Sequence, residues 1–326
     1  MARASGALAP LSIALNGRGV FAVWCGDAEA AAALIAEYNA VNEAMGIGWF
    51  SACGLLHAAY QGRSEALTLM ITSATDSAAR EMGQGEQFAI WTRAILCNGL
   101  GRYGDALEAA ERAAYEMKIP NGTGWALPEL IEAAVRSRRP ELALDAMERL
   151  PEHTIAGSDW AEGIEARSRA LVTSGGDAEH WYVEAVQRLA STPFQTELAR
   201  AHLLYGEWLR REGRRVDARE QLVRAHEMFA AMGAEGFADR ARNELLATGA
   251  KVRKRHADAE TLNELTPQEE HVARLARDGR SNVEIGAELF LSVRTVEWHL
   301  RKVFMKLGVS SRRDLKHALR ARSRPA

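Results

Sequence analysis

Leu265-Thr-Pro-Gln-Glu-Glu-His-Val-Ala-Arg-Leu-Ala-Arg-Asp-Gly279, followed at once by Arg280 and by Ser281-Asn-Val-Glu-Ile-Gly-Ala-Glu-Leu-Phe-Leu-Ser-Val-Arg-Thr-Val-Glu-Trp-His-Leu-Arg-Lys-Val-Phe-Met-Lys-Leu-Gly308, spells out successive short helices with their stops. Thr266, Pro267 and Glu269 make a helix start: a hydroxyl for an early amide, proline at the first helical position, and a glutamate three residues on. Gly279 ends that helix. Ser281 with Glu284 opens a second, whose Ile285 and Leu289 share one face, and the Phe290-Leu291-Ser292 turn closes it. A third helix is expected from Val293 to Leu307, with Val296, Leu300, Val303 and Leu307 as its apolar stripe and Gly308 at the left-handed closing position. Ser311 and Asp314 start a short fourth helix in the same manner. The pattern is a helix-turn-helix.

At 100° per residue from Val296, the face opposite the stripe carries Arg294, Glu297, Trp298, Arg301 and Met305. Of these, Arg294, Glu297, Trp298 and Arg301 are the candidates for contact with DNA base edges. Thr295, Lys302 and Lys306 lie on one flank, where a helix in the major groove passes a sugar-phosphate strand, and Asn282 joins them as a phosphate contact. Most charge runs are simply solvated helix faces. The two helices ahead of this one would hold its free side outward, and a tryptophan at the centre of that side has no use in water.

The stretch resembles the LuxR-type DNA-binding domain, which implies a small four-helix unit and double-stranded DNA as partner. In that family the recognition helix commonly carries Lys where Glu297 stands, and the helix before it Lys where Val283 stands, so two positive charges are missing here. The family resemblance also implies self-association through the last helix. Leu315 and Leu319 lie at i, i+4 on one side of it and are the dimerisation candidates, the alternative being that both close the domain core. A homodimer on DNA is expected, because one such unit makes few base contacts.

Charge divides the chain in the same place. Residues 249–326 hold 17 Lys and Arg against 10 Asp and Glu, leaving 1–248 at −9, although the whole chain of 326 residues is only −2. Only the C-terminal part suits a polyanion. The Leu8 to Trp24 stretch is broken by Pro10, Asn16, Gly17 and Arg18, so no signal peptide or membrane anchor is expected and the location is cytoplasmic. Cys25, Cys53 and Cys97, few and far apart among apolar neighbours, are expected as reduced thiols.

Residues 1–248 carry a loose repeat. Gly62-Arg-Ser-Glu-Ala66, Gly101-Arg-Tyr-Gly-Asp-Ala106 and Gly213-Arg-Arg-Val-Asp-Ala218 share one turn, with weaker copies at Arg138 to Ala143 and Gly176 to Ala185. The alanines Ala66, Ala106, Ala143, Ala185 and Ala218 are 40, 37, 42 and 33 residues apart, which is two helices per unit. An Ala- and Leu-rich composition makes strands improbable, so the fold class is all-α: a helical-repeat solenoid followed by the helix-turn-helix domain. The array is similar to tetratricopeptide and MalT-like repeats. Such an array ordinarily offers one concave surface to a protein or small-molecule effector. Trp49, Trp91, Trp125, Trp160, Trp181 and Trp208 could line it, though tryptophans at helical spacing are more often core.

Enzymatic signals are weak. Gly99-Leu-Gly-Arg-Tyr-Gly104 matches G-x-G-x-x-G, but its flanks read as a helical hairpin where the nucleotide fingerprint needs a strand. No P-loop, H-E-x-x-H or nucleophile elbow occurs, so neither enzymatic activity, cofactor nor metal is expected. Large MalT-like regulators place an ATPase domain before the repeats; a shortened member or a sequence begun inside a longer gene are both open. Residues 249–261, with Lys251, Arg253, Lys254 and Arg255, suit a basic linker, giving a repeat domain at 1–248 and a DNA-binding domain at 262–326. The expected function is a sequence-specific bacterial transcriptional regulator. A repeat scaffold with a tail that has lost specific DNA binding, or a sigma-factor region, are the alternatives.

Overall fold

A computed structural model describes residues 7–46, 50–64, 84–116, 122–249, 267–289 and 293–307, with Val309, Arg312 and Leu315 beyond them. The chain divides into two compact units, Met1–Val252 and Arg253–Ala326. Every regular element among the described residues is helical. Of the expected linker only Gly249 lies within the described residues, and of the Gly62–Ala66 copy only Gly62 to Ser64.

The first unit comprises α1 (Leu8–Trp24), α2 (Ala28–Met45), α3 (Ala52–Tyr60), α4 (Gln84–Gly99), α5 (Tyr103–Glu116), α6 (Gly122–Arg136), α7 (Pro140–Arg149), α8 (Asp159–Val172), α9 (Asp177–Ala190), α10 (Gln195–Arg211), α11 (Arg215–Ala231) and α12 (Glu235–Ala247). From α4 onward these are antiparallel pairs, and the first helices of successive pairs start 36 to 40 residues apart. The period follows from chemistry at the turns. Gly101 and Gly213 take φ of +70° and +78°, and the Arg after each bonds the Asp three residues on, Arg102 to Asp105 at 2.7 Å and Arg214 to Asp217 at 2.8 Å. The alanine that follows is buried in every described copy: Ala106, Ala143, Ala185 and Ala218. A larger side chain there would push the paired helices apart. Gly99 and Gly101 of the G-x-G-x-x-G match fall at the end of α4 and in the turn before α5, with no strand ahead of them.

One copy departs. Arg138 replaces the turn glycine and is held at φ +59°, with its side chain exposed. A left-handed conformation costs a non-glycine residue about 1–2 kcal/mol, and the looser unfolded chain of a glycine returns part of it. Arg138→Gly is therefore expected to stabilise the chain by about 0.5–1 kcal/mol in urea unfolding. A loss of stability would mean that the exposed guanidinium makes a contact worth more than the backbone strain.

The sequence predicts an open concave surface. The fold differs. α10 packs against α1, and α12 against α3 and α4, so the last pairs meet the first. Thr196 Oγ1 donates to the carbonyl of Trp24 at 3.0 Å, and Gly99 lies so close to the Phe237 ring that a Cβ there would come within 2.8 Å of it. The space enclosed is filled by charge. Arg200 forks onto Glu129 and Glu132, Arg240 bonds Glu132 at 2.6 Å and Glu207 at 2.8 Å, Arg136 pairs with Glu207, and Arg167 pairs with Glu197 at 2.5 Å. Burial opposes charge on Glu132, but Arg200, Arg240 and Arg136 outweigh it and hold the carboxyl well below the usual carboxylate range. Helical periodicity counts apolar residues and is blind to an interior built from four arginines and four glutamates that neutralise one another.

Cys53 and Cys97 are buried free thiols and Cys25 is half-buried. Trp91 and Trp208 are core residues, Trp125, Trp160 and Trp181 are half-buried, and Trp49 lies outside the described residues. Among the described residues, no helix is long and apolar enough to cross a membrane and no group of His, Cys, Asp or Glu is placed to hold a metal ion.

Candidate DNA-binding site

The second unit contains α13 (Pro267–Arg277), α14 (Asn282–Leu289) and α15 (Val293–Leu307). α13 stops at Gly279, whose φ of +90° lets the Arg280 amide reach back to the Leu275 carbonyl at 3.1 Å. α14 starts with the reciprocal cap that the sequence predicts. The Ser281 amide donates to the Glu284 carboxylate at 2.7 Å, and the Glu284 amide donates to Ser281 Oγ at 3.3 Å. That backbone bond holds the Glu284 carboxyl below its ordinary pKa. The starts expected at Thr266 and Ser311, and Gly308, lie outside the described residues. Beyond α15, the Val309 amide bonds the Phe304 carbonyl at 3.0 Å, which ties down the end of that helix.

One core holds the three helices together. Val272, Ala273 and Ala276 of α13, Ile285 of α14, and Val296, Leu300 and Val303 of α15 are buried together, with Leu289 and Leu307 packed against them. The stripe expected on α15 is thus the face turned inward. His299 is buried too, which the sequence reading did not anticipate, although its position 60° from Val296 puts it beside the stripe.

Glu297 and Arg301 are exposed on the opposite face. Together with Asn282, Leu300, Phe304 and Arg312 they line one concavity of about 370 Å³. Two base-facing candidates and one phosphate candidate therefore share a single hollow. Arg312 is an addition, for which helical periodicity gave no signal because it lies past the end of α15. Its Nε and Nη2, and Asn282 Oδ1, are enclosed and make no hydrogen bond among the described residues. Leaving such groups unmet costs free energy; a phosphate oxygen or a base-edge acceptor would meet the two guanidinium nitrogens, whereas Asn282 Oδ1 needs a donor such as a base amino group. The side chains of Arg294, Thr295, Trp298, Lys302 and Lys306 lie outside the described residues. Leu315 is fully enclosed in the three-helix core, with no surface of its own to offer, and Leu319 lies outside the described residues.

Residues 263–319 match the family described as bacterial regulatory proteins, luxR family. This segment is a LuxR-family helix-turn-helix domain. Over 73 residues the chain is 41% identical to proteins of Mycobacterium bovis and Mycobacterium tuberculosis named as HTH-type transcriptional regulators, covering 22% of this chain and 8% of theirs. It is 39% identical over 62 residues to the transcriptional regulatory protein LiaR of Bacillus subtilis, covering 18% of this chain and 29% of LiaR. The chain thus spans under a tenth of the length of the mycobacterial relatives, and these likenesses speak for the LuxR-type domain and not for the repeats.

Proposed function

We propose that this chain is a sequence-specific transcriptional regulator of the bacterial cytoplasm that binds double-stranded DNA through α15 of its LuxR-type domain, while the helical repeats take up an effector or partner. The observation that carries the reading is the shared hollow of Glu297, Arg301, Asn282 and Arg312 on the outward side of a helix whose other side is core. An arginine there can fork onto guanine O6 and N7, a glutamate can accept from cytosine N4, and Asn282 at the start of α14 meets phosphate. Mobility shift of the purified chain against genomic fragments, with random DNA as competitor, tests it. Discrete bands that survive competition are expected, whereas bands abolished by random DNA would leave a repeat scaffold as the better account.

Useful affinity requires two copies on half-sites about 34 Å apart. With Leu315 enclosed in the core, Leu319 is the side chain left to carry the dimer contact. Leu319→Glu is expected to keep the helical spectrum and lose cooperative binding to a two-half-site operator, while Leu315→Glu unfolds the domain by burying a charge. Unchanged cooperativity in Leu319→Glu would put the dimer contact elsewhere.

A further inference from the structure

A cavity of about 200 Å³ opens in the first unit between segments distant in sequence, bounded by Trp24 of α1, Trp91 of α4, Trp125 of α6 and Trp160 of α8. The indoles brace one another around it. Ring centroids are 5.4 Å apart for Trp91 and Trp125 and for Trp24 and Trp160, and 5.8 Å apart for Trp24 and Trp125. Trp91 Nε1 donates to the Trp125 carbonyl at 3.0 Å, which fixes one wall to the next. Ile155, exposed, belongs to the segment from His153 to Ser158 that borders the cavity. Trp91, Trp125 and Trp160 look like core from the sequence, yet Trp125 and Trp160, like Trp24, are only half-buried and border this space.

Size, walls and charge restrict what fits. A dry cavity of about 150 Å³ accepts a benzene ring, so this one suits one or two fused rings. Flat indole walls favour a flat ligand, by stacking and edge contacts. Glu129, Arg167 and Glu197 also line the cavity, but Glu129 is committed to Arg200 and Glu197 to Arg167, within a buried set of four arginines and four glutamates. A cationic ligand would meet the buried Arg167, and an anionic one the two carboxylates, so either would unbalance a neutral interior. One polar group in the wall is unspent: Trp160 Nε1 is enclosed and makes no hydrogen bond among the described residues.

We infer that the four-tryptophan cavity is the effector site of this chain, and that its ligand is a neutral, planar compound of one or two fused rings carrying a hydrogen-bond acceptor. The inference rests on reading the repeats as the sensing part of a regulator. Occupancy joins α1 to α4, α6 and α8, so the ligand would stiffen the closure of the array on its own first helix.

Quinoline, neutral above pH 7 and bearing one acceptor nitrogen, is the probe; N-methylquinolinium and quinoline-2-carboxylate keep the ring and add a charge. Titration calorimetry on the full chain should show saturable one-to-one binding of quinoline, with both charged analogues weaker by about tenfold or more. At a hundredfold excess over Kd, the thermal midpoint of the chain should rise on the order of 5 °C. Ala161→Trp, which fills the cavity from α8, should abolish binding. Trp160→Phe keeps an aromatic ring but removes the pyrrole N–H donor, and should weaken quinoline by about tenfold. No saturable binding, equal binding of the cation, or full binding to a folded Ala161→Trp chain would overturn the assignment. Should Ala161→Trp give no helical spectrum, Trp160→Phe decides, and undiminished binding there would overturn it. Mobility shift without quinoline separates the two readings: a chain that shifts DNA but ignores quinoline refutes this site alone, and one that binds quinoline but no DNA refutes the regulator alone.

Discussion

Arg200→Met is expected to destabilise the repeat unit by about 3–5 kcal/mol, because it removes one partner of a buried ionic set and leaves the other charges behind. Arg200 is 1% exposed and bonds Glu129 through Nη1 and Nη2 and Glu132 through Nε at 2.9 Å. Without it, among the described residues, Glu129 keeps the Asn98 amide at 2.8 Å and Glu132 keeps Arg240. Urea unfolding followed by tryptophan emission measures the effect cleanly, since seven of the eight tryptophans lie in this unit. A loss below about 1 kcal/mol would show that water reaches the network and screens it.

The same network sets an acid limit. The carboxyl of Glu132 titrates lower in the folded chain than its ordinary 4.5, so its contribution is complete above that value and drains away as pH falls below it. Arg136 is pushed down to about 10 by burial and by Arg240, so in alkali it is the arginine expected to weaken first.

The LuxR-type domain was largely legible in the sequence, and for a physical reason. Its signals are local: Ser281 and Glu284 cap each other across three residues, Gly279 needs a left-handed φ, and Val296, Leu300 and Val303 recur at the helical period. Local chemistry survives without knowledge of the fold. The repeat period was visible for the same reason, through Gly101, Gly213 and the buried alanines. What could not be read depends on contacts between distant segments. Arg240 reaches the Asn98 carbonyl across 142 positions of sequence, and Thr196 reaches Trp24 across 172. No periodicity marks such pairs, so the sequence suggests an open concave surface where the interior is enclosed and ionic, and core positions for Trp125 and Trp160, which border a cavity.

Arg301→Ala is the second large effect expected. Arg301 is exposed on the outward face of α15 and shares its hollow with Glu297 and Asn282, and as the proposed base-edge contact its loss should cost about 1–3 kcal/mol on the specific site alone. Binding to random DNA should change little. Lys302→Ala, the proposed phosphate contact of the same helix, should weaken both alike and flatten the salt dependence by about one counterion. Equal losses for both variants on both DNAs would make the whole face a phosphate contact and remove the basis for sequence reading.

The most direct test is the ratio of affinities of the full chain for a fragment recovered by selection and for random DNA of equal length, measured by fluorescence anisotropy at one stated salt concentration. A regulator of this kind should show a ratio of at least about 10³, reduced by about tenfold or more in Arg301→Ala. A ratio near one, with the LuxR-type domain folded by circular dichroism, would contradict the account.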